Sequence, residues 1–183
     1  MSEFWQDRLL RDILQQMHPE VARRFEDLEK RRLAFTKKVE ALPKEKQDAK
    51  PRPGEFSPAE VVMHLAITEH GNVVFLKKTA PALLAGKKPK ITFLYKRTVS
   101  KMQDPSSPVP TLPFMIPKGP VDLDQAIAAW AGARAEIEKF LEEAKTPSEA
   151  FIKFNFVFGT ASASQFLDLL EAHMNYHEKR FPA

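Results

Sequence analysis

The chain has 183 residues, 43% of them hydrophobic, which suits one domain over residues 1–183 with a real core. Its 28 Lys+Arg stand against 24 Asp+Glu, a net charge of +4, too small to favour disorder. With no cysteine, disulfides, iron–sulfur clusters, thiolate zinc sites and thiol nucleophiles are excluded, so any bound metal must use histidine or carboxylate.

In chain order, residues 3–17 place Trp5, Leu9, Ile13 and Met17 four apart, which predicts an amphipathic N-terminal helix within residues 1–18. Charge interrupts every apolar stretch there, against a signal peptide, and no apolar run approaches the ~20 residues of a membrane span. A cytoplasmic protein without membrane contact is expected.

The next segment carries Val21, Phe25, Leu28, Arg32, Phe35, Val39 and Leu42 at steps of four and three, a bundle seam with one charge in it. Residues 44–56 read as a polar loop. Ser57-Pro58-Ala59-Glu60 is a capping-box pattern with proline at the first helical position. The helix it opens, to about Lys78, sets Val61, His64, Leu65, Thr68, Asn72, Phe75 and Leu76 on one side.

Residues 79–120 hold eight prolines and form a connector far longer than a bundle loop needs. Between His70 and Gln103 there is no acidic residue, while seven lysines and Arg97 give +8. A solvated basic face is expected; aromatic residues are few and no nucleic-acid-binding motif accompanies them, which argues against nucleic acid as a partner.

Leu123, Ile127, Trp130, Arg134, Ile137 and Leu141 make a further seam, again with one arginine in it. Thr146-Pro147-Ser148-Glu149 repeats the capping pattern, but the helix fades into a run where Phe154, Phe156 and Phe158 alternate as in a short strand or an extended buried segment. Ser162-Ala163-Ser164-Gln165 caps a last helix carrying Phe166, Leu169, Leu170, His173, His177 and Phe181. The fold expected is all-α: a four-helix bundle with an extra N-terminal helix.

His173 and His177 lie one turn apart on one face, seven residues after Phe166 and Leu170 respectively, so both project from the buried stripe. His64 occupies a similar place on its own helix. Two readings stand: hydrogen-bonded core histidines, or a three-histidine set holding a divalent metal with open positions. In a simple up-down-up-down bundle their helices run parallel, and the histidines meet only if the helices are staggered. His70, about 240° from His64 around the helix, and His18 are bystanders. Glu69 and Glu171, the carboxylates nearest the histidines in sequence, could orient a ligand or serve as a base, but they lie off the seam and are expected to be solvated. Arg32 and Arg134 interrupt apolar seams; they are candidate substrate-binding residues for an anion, with snorkelling to water as the alternative.

The stretch FSPAEVVMHLAITE resembles the second-helix motif of the DinB/YfiT-like superfamily, and FGTASASQFLDLLEAHMNYHEKRF is similar to its last-helix HxxxH motif. The resemblance implies a four-helix bundle with a divalent metal held by His64, His173 and His177. Where members often carry Gln three residues after the last histidine, this chain has Arg180. Imidazole ligands suit several metals, and zinc or nickel is expected. Because the histidines do not form HEXXH, a thermolysin-type peptidase is disfavoured.

The function expected is a metal-dependent enzyme acting on a small molecule, either a hydrolase or, as some relatives imply, a transferase using a low-molecular-weight thiol. The competing class is a non-enzymatic bundle that binds a small ligand or a protein through structural or vestigial histidines. A homodimer is also expected from the resemblance.

Overall fold

The computed structural model describes residues 17–104, 106–144, 146–154 and 158–181. The expected N-terminal helix lies outside these residues except for Met17, which is buried. Six α-helices are described. They are α1 (Pro19–Glu40), α2 (Lys44–Asp48), α3 (Pro58–Thr79), α4 (Phe93–Gln103), α5 (Leu123–Glu142) and α6 (Ala163–Arg180). Helices α1, α3, α5 and α6 are the expected bundle, and their seam residues fill one core with Leu65, Trp130, Ile137 and Phe166 at its centre.

Pairings along the helices set their directions. Arg24 of α1 meets Asp168 of α6 at 2.6 Å, and Arg31, two turns on, meets Glu178 at 2.6 Å, so α1 and α6 run parallel. Glu29 meets Arg134 of α5, whereas the later Phe35 meets the earlier Trp130, so α1 and α5 run antiparallel. The start of α3 shares an open cavity of about 470 Å³ with Pro120 and Asp122, just before α5. Near the end of α3, Lys77 meets Glu136 in the second half of α5 at 3.0 Å. Helices α3 and α5 are therefore parallel, and α3 is antiparallel to α6. The bundle is up-down-down-up, not the simple alternation considered from sequence.

Two successive helices that point the same way need a crossover along the bundle. Residues 79–120 supply it, with more structure than a proline-rich connector suggests. They contain a 3-10 turn at Pro81–Leu84, strand β1 (Lys90–Ile91), helix α4 and a second 3-10 turn at Pro113–Met115. Thr92 caps α4, which packs along α6. The Tyr95 hydroxyl, buried within α4, donates to the Gln165 carbonyl, and burial pushes this phenol far above its usual range.

Two strands are described beside the Phe154–Phe158 alternation, β2 (Ala150–Lys153) before it and β3 (Gly159–Ser162) after it, and Phe154 is buried. Phe156 lies outside the described residues. Thr146 Oγ1 does accept from Glu149 N–H, at 3.2 Å, but the chain then extends into β2 rather than starting a helix. The antiparallel sheet has the order β1-β3-β2. At its centre Gly159 has φ of +79°, and a Cβ there would collide with the Lys90 carbonyl oxygen. The loop expected over 44–56 contains the short helix α2.

Candidate metal centre

Both helices that bring histidines together start from complete capping boxes. Ser57 Oγ accepts from Glu60 N–H at 3.2 Å, and Glu60 returns a bond to Ser57 N–H at 2.8 Å. Ser162 and Gln165 do the same for α6, at 3.2 and 3.0 Å. These caps fix where each helix starts, and so the register of the histidines. His64 lies near the start of α3 and His177 near the end of α6. With α3 and α6 antiparallel, the two meet at one level without stagger.

His64 is 4% exposed, and its Nδ1 lies 2.8 Å from the Met115 carbonyl oxygen. A carbonyl only accepts, so Nδ1 carries the proton and Nε2 turns its lone pair to the centre. His173 Nε2 lies 3.1 Å from His64 Nε2 and 3.2 Å from His177 Nε2. One ring nitrogen from each of the three histidines falls within 4.8 Å of the other two, close enough together to hold a metal ion.

His173 and His177 keep an edge toward solvent, yet most of each ring is enclosed. Burial holds His173 well below the ordinary imidazole range, and the neighbouring His177 and His64 add to this. Burial, then His64, brings His177 down to about 3. His64 is lowered chiefly by burial, with the Met115 bond acting the other way. All three are neutral at physiological pH. A single N–H can then serve only one of the two close nitrogen contacts, and lone pairs are left facing each other.

A divalent cation satisfies all three nitrogens at once. Tetrahedral coordination at ordinary zinc–imidazole lengths sets ligand nitrogens about 3.3 Å apart, close to the observed spacing. The donor set and its spacing fit a metal, and the Met115 carbonyl is the outer partner that orients a ligating histidine. Around the cluster, the Phe56 ring lies 5.0 Å from His64, and Tyr176 lies 5.3 Å from His177.

The other sequence candidates fall elsewhere. Arg134, 1% exposed, is gripped by both Glu69 oxygens through Nε and Nη2, with Nη1 on Glu29 at 3.2 Å. Burial alone lowers its pKa, but the two carboxylates more than offset this and the guanidinium stays charged. Arg32 pairs with Glu29 at 2.9 Å, and both guanidiniums lie over Trp130, whose Nε1–H has no partner among the described residues.

Glu69 is buried at 1%, which overturns its expected solvation. Helix α3 buries a second face, with Val62, Ala66, Glu69, Val73 and Leu76, and packs it against α5. Glu171 is half-exposed and pairs with Arg24 and Arg31, and His70 is exposed. His18 caps α1. Sequence reasoning missed Met115 and Tyr176. The former acts through its backbone and leaves no residue-type signal. The latter sits three residues after His173, off the seam as first drawn.

A helical bundle with a three-histidine cluster between two of its helices, able to hold one metal ion, is the class of protein that this fold and site define. The chain belongs to the DinB superfamily, whose family model matches residues 10–179. Neither the curated proteins nor the solved structures compared with the chain gave a match. No helix among the described residues is long and apolar enough to cross a membrane.

Proposed function

We propose that this chain is a metal-dependent enzyme in which His64, His173 and His177 hold one divalent cation, zinc or nickel. The convergence of three neutral imidazole nitrogens at 3.1 and 3.2 Å carries the reading. Bound there, the cation supplies Lewis acidity to a ligand filling its open positions. The chain's own part is to hold the three rings neutral, to fix the His64 tautomer through Met115, and to leave one side of the cluster open. The reaction class we favour is hydrolysis or S-transfer with a low-molecular-weight thiol; neither needs a cysteine in the protein.

We assign Arg32 and Arg134 to bundle stability rather than to substrate. The support is that their guanidiniums are engaged by Glu29 and Glu69.

Metal analysis of protein purified without added nickel or a histidine tag tests the reading. Near-stoichiometric metal, lost in a His64→Ala/His173→Ala double variant, is the expected result. Protein free of metal whose melting temperature ignores chelator favours the alternative, a non-enzymatic ligand- or protein-binding bundle. Metal-loaded protein is then screened against thiol cofactors and ester substrates.

A further inference from the structure

We infer that Arg180 is the anion-recognition residue of the three-histidine site, and that the substrate carries a carboxylate or phosphate group beside its reacting end. The inference rests on the metal-site reading above.

Arg180 follows His173 by seven residues and His177 by three, so all three share one stripe of α6. Its guanidinium carbon lies 4.6 Å from the centre of the Tyr176 ring, and Nη1 donates to the Tyr176 hydroxyl. That ring in turn lies 5.3 Å from the His177 ring. The guanidinium is therefore within one small-molecule length of the imidazoles.

Tyr176 is itself fixed. Its hydroxyl donates to the Ser107 carbonyl at 3.2 Å and accepts from Val109 N–H at 3.3 Å, so it holds Arg180 against a tethered aromatic face. Such stacking orients a guanidinium without using its outward N–H groups.

Among the bundle arginines without a carboxylate partner in the described residues, Arg23 sits exposed on α1, and Arg180 alone shares the stripe of the histidines. Arg24, Arg31, Arg32 and Arg134 each meet a carboxylate. Arg180 meets none among the described residues, and the nearby Glu178 is taken by Arg31 at 2.6 Å. An exposed, oriented guanidinium with free donors matches the paired oxygens of a carboxylate or phosphate.

The test uses zinc-loaded protein and three small thiols: mercaptopropionate, mercaptoethylphosphonate and the neutral mercaptopropanol. Affinities are read by calorimetry after zinc content has been measured. The wild-type chain is expected to bind at least one anionic thiol on the order of tenfold more tightly than mercaptopropanol. The carboxylate and phosphonate arms tell which group is preferred. In Arg180→Gln the preference falls to near unity while zinc content and mercaptopropanol affinity hold, and Arg180→Lys retains part of it.

An anion preference that survives Arg180→Gln, or is absent from the wild type, overturns the inference alone. A protein that takes up neither zinc nor nickel overturns the metal-site reading and this inference together.

Discussion

Burying the Arg134 guanidinium would cost several kcal/mol were it alone, because a charge loses its hydration there. The structure offsets this with two Glu69 oxygens and one from Glu29, and sets the guanidinium 5.9 Å from the centre of the Trp130 ring. Arg134→Met alone leaves Glu69 buried without its partner and is expected to lower unfolding stability by about 3–5 kcal/mol in urea titration. Adding Glu69→Leu removes the stranded carboxylate, and the double variant should recover most of that loss. A double variant no more stable than the single one would mean that the pair contributes by more than mutual neutralisation. The arginine was legible in the sequence as a charge at a seam position. Its partner was not, because Glu69 is off the single stripe drawn for α3, and only the packing of α5 reveals that this helix buries two faces. The histidines were legible for the opposite reason: all three stand on stripes that the apolar residues already mark.

At the scale of elements, the four bundle helices could be read directly, since each has an apolar seam and two begin with capping boxes that the structure forms in full. The sheet could not. Strand β1 is two residues long and its pairing depends on a partner some seventy positions away, so no local alternation marks it. Helix α4 was hidden similarly, because its buried side is only Tyr95 backed by partly buried Val99 and Met102, amid basic residues and flanking prolines. What aligns β1 with β3 is Gly159, whose left-handed backbone and missing Cβ let the Lys90 carbonyl approach. Gly159→Ala meets both penalties and is expected to cost more than about 1 kcal/mol. Hydrogen exchange localises the damage: the Thr92 amide, bonded to the Phe158 carbonyl at 3.2 Å, should lose protection while amides within α3 keep theirs. Unchanged protection at Thr92 would show that the strand tolerates the added methyl.

For the whole molecule, the parallel course of α3 and α5 makes residues 79–120 part of the site rather than a link between helices. The crossover brings the Met115 carbonyl to His64, and that bond selects the tautomer with Nε2 facing the cluster. It is held in turn by Tyr176, which ties Ser107 and Val109 to the helix that carries His173 and His177. Each histidine-bearing helix thus touches the same crossover, and the geometry of the cluster depends on that strap staying in place. Tyr176→Phe deletes the hydroxyl but keeps the ring against His177, so it tests the tether apart from the packing. The variant should melt near the wild-type temperature, since the tether is partly exposed and the core is untouched. Its Val109 amide should exchange faster, and zinc release to a chelator should quicken by roughly tenfold, the scale of a lost outer-sphere partner. Faster exchange at Val109 with unaltered zinc release would mean that Met115 stays on His64 without the tether, and that α3, not the crossover, holds that carbonyl in place.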